Sequence, residues 1–145
     1  MLERVTEELE RFIAAQDRRG TYDAALAELR SGRKRTHWMW FVFPQVAGLG
    51  RSEAARFYAL SGVDEARRYL AHPVLGARLV ECTEVLLTLP TSDPVDVMGG
   101  TDAQKLRSSM TLFSRAADPS EAAPLRAVLD RFFRGTEDPG TLSQI

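Results

Sequence analysis

The chain is predicted to be all-α, a compact single domain spanning 1–145 with about seven to nine helices, some of them short. Three observations predict this. Apolar residues recur at 3.6-residue spacing through the long segments. Capping residues and prolines open those segments, and glycines close them. No second convincing strand exists, and a lone strand cannot satisfy its own backbone. A length of 145 residues, with 44% apolar and 27% charged residues, is that of an ordinary folded domain able to bury a substantial core.

The elements follow in order. Thr6 to Arg19 is predicted helical, with Val5, Leu9, Phe12, Ile13 and Gln16 on one side and Gly20 as the stop. Thr21 caps a second helix, with Tyr22, Ala25, Leu26 and Leu29 inward and Gly32 as the stop. The short joint between them implies an antiparallel hairpin. Arg33 to Phe43 fits a buried strand or a buried helix equally by period. The missing strand partner favours a short buried helix, capped by Thr36 and ended by Pro44. Gln45 to Gly50 is a loop, and Ser52 caps a helix to about Ala59. Ser61 with Asp64 approximates a capping box for a helix ending near His72.

Pro73 opens the next helix, which Pro90 ends. Its stripe is Leu75, Leu79, Cys82 and Leu86. Asp93-Pro94 starts a short helical turn that stops at Gly99-Gly100. Thr101 and Gln104 form a capping box, after which Leu106, Met110, Phe113 and Ala117 repeat the stripe. Ser120 opens the last long helix, with Leu125, Val128, Leu129, Phe132 and Phe133 inward. Asp138-Pro139 begins a final short turn.

Composition excludes several classes of function. The net charge of −1 argues against a general nucleic-acid binder. A single cysteine forms no intramolecular disulfide and fits a reducing compartment. The acidic start, MLERVTEELE, has no apolar signal core, and the longest apolar run, Trp38 to Phe43, is far short of a membrane span. A cytoplasmic protein with no membrane association is expected. No cofactor motif is present, and two histidines and one cysteine show no metal-ligand spacing. Oligomeric state is open.

The densest chemistry lies in Arg33 to Ser52, RKRTHWMWFVFPQVAGLGRS. This stretch holds both tryptophans and one of the two histidines, and Arg30 to Arg51 carries five Lys/Arg and no Asp or Glu. His37 reads either as a general acid/base or anion donor, or as a histidine filling a core edge. Trp38 and Trp40 diverge by about 200° on a helix, so one can face the core while the other walls a surface pocket. Both as core is the alternative. Gly48-Leu49-Gly50-Arg51-Ser52 leads into a helix start that suits an anion, although an ordinary turn with a serine cap explains it too. It is neither a phosphate-binding P-loop nor a dinucleotide fingerprint.

Other residues carry weaker signals. Lys105, Ser108 and Ser109 share a helix face by i+3 and i+4 spacing, for anion binding or for close packing through small residues. Asp17, at a helix C-terminus where the dipole disfavours it, suggests a tertiary partner such as His37 or Arg35. Cys82, mid-stripe, reads as buried and inert. His72 reads as a junction hydrogen bond. The run Arg33-Lys34-Arg35 reads as a solvated face, lifted only by its junction with the aromatics.

Four pieces of the chain resemble a bacterial family, domain of unknown function 1810, whose members are sometimes labelled calpastatin-like. They are RFIAAQD (Arg11 to Asp17), the Arg33 to Ser52 stretch, YLAHPVLGARL (Tyr69 to Leu79) and KLRSSMTLF (Lys105 to Phe113). The resemblance implies a compact all-helical single domain and transfers no catalytic residue. Calpastatins are disordered inhibitors, whereas this chain has the composition and capping of a folded domain.

The leading functional reading is a pocket for an anionic, ring-containing small molecule, nucleotide or ADP-ribose-like. Trp38 or Trp40 would stack on the ring. Arg35, Arg51 and Lys105, with Ser52, Ser108 and Ser109, would hold the anion beside Gln45. His37 with Asp17 would carry any hydrolytic proton transfer, and whether the protein is an enzyme is open. The rival is a protein-interaction module using residues 33–52 as a hot spot. A third reading makes the stretch plain core. The readings separate on whether His37, Gln45 and Lys105 line one concavity.

Overall fold

The computed structural model describes residues 2–145, with side chains from Glu8 onward, so the inward placement of Val5 lies outside the described residues. The chain forms α1 (Leu2–Asp17), α2 (Thr21–Arg30), α3 (Met39–Val42), α4 (Glu53–Phe57), α5 (Val63–Ala71), α6 (Leu75–Thr88), α7 (Pro94–Met98), α8 (Gly100–Ala116), α9 (Pro119–Phe133) and α10 (Pro139–Gln144). A tight 3-10 turn, Arg18–Gly20, joins α1 to α2. The fold is all-α. Among the described residues, extended pairing is confined to one parallel bridge between Val46 and Leu60. No helix described is long and apolar enough to cross a membrane.

Helix α8 is the axis. It packs against α5, α7, α9 and α10, while α6 packs against α2, α5 and α9. Every residue from Ser108 to Ser114 is buried, as expected for a helix covered on all sides. The stripe Leu75, Leu79, Cys82 and Leu86 on α6 is buried as its spacing predicts. The inward sets of α2 and most of α9 are buried too; Phe133 is only partly covered. Phe12 meets Tyr69 edge-on at 5.2 Å, and Tyr69 meets Phe113 at the same distance, which ties α1 to α5 and α8. Cys82 is fully buried, and burial pushes its thiol up to about 12, so it stays protonated and inert.

Several helix starts differ from expectation. Helix α8 begins at Gly100, with Gly99 as N-cap at φ 81, so Thr101 lies inside the first turn and no side chain caps the helix. Helix α9 is capped by Asp118, which accepts from the Glu121 N–H at 3.0 Å; Pro119 follows at the first position and Ser120 donates to the same carboxylate. For α5, the cap position is Gly62 and the backbone N–H of Ser61 donates to the buried Glu65. Asp93, Asp138 and Ser52 cap α7, α10 and α4 as predicted. At the α5–α6 junction, His72 Nδ1 accepts from the N–H groups of Val74 and Leu75, the structural role its position suggested.

The Arg33–Phe43 stretch condenses to the four residues of α3, stopped before Pro44. Thr36 does not cap it. Its hydroxyl donates instead to Glu28 on α2, at 2.6 Å. The same carboxylate accepts from the backbone N–H groups of Arg35 and Thr36 and from Trp38 Nε1 at 3.0 Å. Glu28 thus organises the whole entry to α3. Desolvation pushes its pKa up, but these four donated bonds outweigh it and hold the carboxyl at about 2. Its pKa is therefore depressed on folding from 4.5. The stabilisation is present above pH 4.5 and is lost as pH falls through about 2. Glu28→Gln is expected to destabilise the fold by about 1–3 kcal/mol at pH 7, a range that allows for solvent screening at a half-buried site. Urea titrations at pH 7 and pH 2 check this. The deficit relative to wild type should shrink at pH 2, and a deficit unchanged between the two would disprove the assignment.

Candidate functional site

Helix α8 opens beside the segment that leads into α3, and two hollows flank its first turns. The first, about 350 Å³, is lined by Lys34, His37, Met39, Trp40, the Met98–Asp102 segment and Lys105. The second, also about 350 Å³, lies between the Gln45–Gly50 loop and α10; its walls include Gln45, Leu49, Gln104, Ser108 and Asp138. Thr101 and Lys105 belong to both. Of the test trio, His37 and Lys105 share one concavity, whereas Gln45 meets Lys105 in the adjoining one.

The lysines are held by one carboxylate. Lys34 Nζ lies 2.9 Å from Asp102 and 4.9 Å from the Trp38 ring centre; Lys105 Nζ lies 3.5 Å from Asp102 and 4.7 Å from the Trp40 ring centre. Two ammonium groups against one carboxylate leave a cationic surplus. The open N-terminus of α8, with a partial positive charge and first-turn N–H groups that no side chain among the described residues caps, adds to it. Lys34 was not expected here. Its side chain is only 7% exposed, the reverse of a solvated charge run, and its backbone N–H bonds to Val97 O at 2.7 Å. A lysine in a basic run four residues before the first tryptophan gives no sequence signal that its ammonium will fold inward. That depends on the carboxylate supplied from α8.

The other expected residues divide sharply. Trp38 does not line a pocket: it is fully buried, with its N–H on Glu28 and its ring 6.3 Å from Phe43. Trp40 is half-buried and walls the first hollow. Asp17 does not partner His37 or Arg35. It pairs with Arg78 at 2.8 Å, and its neighbour Gln16 accepts from Arg78 and donates to Phe41 O, which locks α1 to α6 and α3. The carboxylate that shares the hollow with His37 is Asp102, not Asp17.

Arg35 points elsewhere, beside Ala27, Glu28 and Ser31. Arg51 is exposed and lines neither hollow. The Ser52 hydroxyl accepts from Ala55 N–H at 3.1 Å, capping a five-residue helix too short to build an anion site. Gly50 serves packing as well as the second hollow: a Cβ there would lie 2.4 Å from that of Ala55.

Ser109 faces the core and is fully buried, so it cannot reach a ligand. Ser108 lines the second hollow, but its hydroxyl donates to Asp138 at 3.0 Å. Thr111 accepts from Asp138 N–H, Arg107 donates to the carbonyls of Thr136 and Glu137, and Arg115 grips Glu137 through two 2.7 Å bonds. The polar side of α8 is therefore largely a clamp on the segment leading into α10. Asp138 is desolvated, yet the bonds from Thr141 and Ser108 outweigh this and keep its carboxyl below the usual range.

Comparison with known proteins gives two matches. The family model described as "Protein of unknown function (DUF1810)" matches residues 6–145. The crystal structure of the conserved hypothetical protein Rv1873 from Mycobacterium tuberculosis is similar, with 43% sequence identity and a TM-score of 0.90 over 95% of this chain and 96% of that one. No curated protein matches the chain.

Proposed function

The chain belongs to the DUF1810 family, and from that premise we propose that the hollow at the start of α8 binds an anionic, ring-containing small molecule of the nucleotide type. One observation carries this reading: two lysines, a histidine and a half-buried tryptophan converge on the uncapped start of a seventeen-residue helix. The anion would lie at Lys105 and the first-turn N–H groups, where the macrodipole favours negative charge. His37 would donate a hydrogen bond to it. The ligand ring would stack on Trp40. Asp102 competes with the ligand for both ammonium groups, so binding requires Lys105 to turn from the carboxylate to the anion. Hydrolysis is not part of the proposal, because the expected His37–Asp17 pair does not form and the oxygens of Asp102 are engaged by lysines.

The rival protein-interaction reading needs an exposed aromatic face on residues 33–52. Trp38 lies inside and Trp40 sits in a recess, which favours a small ligand. Calorimetric titration with AMP tests the proposal. Lys105→Ala is expected to weaken AMP binding by about 10–100-fold, the value of one charge-assisted hydrogen bond. His37→Ala should weaken it by about 2–10-fold. Absence of AMP binding to the wild type, or unchanged affinity in Lys105→Ala, would remove the reading.

A further inference from the structure

We propose that the second hollow receives a sugar joined through phosphate to the ring-bearing part of the same ligand, so that the two hollows form one bipartite site with Lys105 at its centre. The inference rests on the binding reading above and extends it from a nucleotide to a nucleotide carrying a terminal sugar.

The two hollows are different in chemistry and adjacent, with Thr101 and Lys105 as their shared wall. The first has cations and an aromatic wall. Among the described residues the second has no aromatic side chain, and its one cation, Lys105, is shared with the first. Its other polar side chains are Thr101, which also lines the first hollow, the amides of Gln45 and Gln104, the hydroxyl of Ser108 and the carboxylate of Asp138. Amides that donate and accept, placed beside a carboxylate that accepts, suit neighbouring hydroxyl groups of a sugar. The carboxylate disfavours a second phosphate at that end. All three bonds to the Asp138 carboxylate, from Ser108 Oγ and from the N–H and hydroxyl of Thr141, land on Oδ2. Oδ1 receives none among the described residues, which leaves it for a ligand hydroxyl. Leu49 gives the hollow an apolar wall for the carbon face of a ring.

The shared wall sets the order of the ligand. A phosphate or diphosphate at Lys105 and Thr101 has the ring-binding hollow on one side and the polyol-binding hollow on the other. Ligand pockets commonly enclose about 300–1,000 Å³. Each hollow, at about 350 Å³, is near the lower limit, so one ligand reaching across both fills a site of ordinary size.

Titration of ADP and ADP-ribose into the same protein tests this, since ADP-ribose adds a sugar to the terminal phosphate of ADP and loses one ionisable oxygen there, so a gain in affinity cannot come from charge. ADP-ribose is expected to bind at least about tenfold more tightly than ADP. Gln45→Ala/Gln104→Ala should bring ADP-ribose down to the affinity of ADP while leaving ADP unchanged. Both side chains are at least partly exposed, and an unaltered melting temperature of the variant confirms that its fold is intact. If ADP binds and the added sugar brings no gain, or if the glutamine variant weakens both ligands equally, the bipartite site is overturned and the nucleotide reading survives. If ADP does not bind either, both fall.

Discussion

Trp38→Ala is expected to destabilise the protein by about 3–5 kcal/mol, and Trp40→Ala by under about 1.5 kcal/mol. The two tryptophans are separated by one residue, yet they sit in opposite environments. Trp38 is fully buried among core side chains, with its indole N–H satisfied by Glu28. Truncation opens a cavity of nearly a whole indole and removes a donor from a carboxylate that depends on it. Against a typical total of about 5–15 kcal/mol, that loss is severe. Trp38→Phe keeps most of the packing and should lose only about 1–2 kcal/mol, chiefly the hydrogen bond. Trp40 fills less of the core and walls the hollow. Its removal should spare the fold but weaken AMP binding by about tenfold, within the range for lost base stacking. Urea unfolding and AMP titration on the same two variants read out both effects. A larger unfolding loss in Trp40→Ala than in Trp38→Ala would contradict the placement of the two rings.

The second large effect is expected at Lys34. Lys34→Met keeps the aliphatic stem but leaves Asp102 with Lys105 as its remaining cation, at 3.5 Å. The Asp102 side chain is only 19% exposed, so a poorly compensated carboxylate there is unfavourable. The expected loss is about 3 kcal/mol, toward the low end for a broken buried pair because Lys105 still screens the charge. Asp102→Asn alone should also destabilise, since it strands the buried ammonium of Lys34. The double variant Lys34→Met/Asp102→Asn should recover at least about 1 kcal/mol relative to the sum of the singles. Simple additivity in this cycle would show that the pair does not act as a unit. Asp102→Asn also frees Lys105, so AMP affinity in that variant should rise by about fivefold, a change of about 1 kcal/mol.

Much of the scaffold was readable from spacing. The α6 stripe and the α2 inward set needed only 3.6 periodicity, because each of these helices buries one face and exposes the other. Caps were readable where a side chain caps, as at Asp93, Asp138 and Ser52. They were misread at α8, where the cap is a glycine backbone and the nearby Thr101 and Gln104 offered a false box. Periodicity also misled in the middle of α8. Ser109 has the spacing of a polar binding face, but α5, α9 and α10 pack around this helix, and the Ser109 side falls in the core while its neighbour Ser108 meets Asp138 at the second hollow.

The candidate site was harder to read, because its members come from segments far apart in the chain. His37, Trp40 and Lys105 were recognisable from residue type, and they do line one hollow. Their neighbours Lys34 and Asp102 carried no local signal. For Asp17 the dipole argument calls for a tertiary partner, His37 or Arg35 by sequence, but does not say which cation meets it. Arg78, sixty-one residues later, supplies it.

The helical class, the inward faces of the amphipathic helices, the stop at Pro44 and the inert cysteine follow from the sequence alone, since each depends on period, steric restriction or local composition. Which tryptophan enters the core, which lysine is buried, and which carboxylate meets which cation were decided only when the helices packed. Those outcomes depend on distances between remote segments, and no local pattern encodes a distance across the core. The long basic–aromatic stretch is therefore two things at once: up to Trp38 it is an anchor tied down by Glu28 and Asp102, and between Lys34 and Gly50 it supplies walls to the hollows at the start of α8.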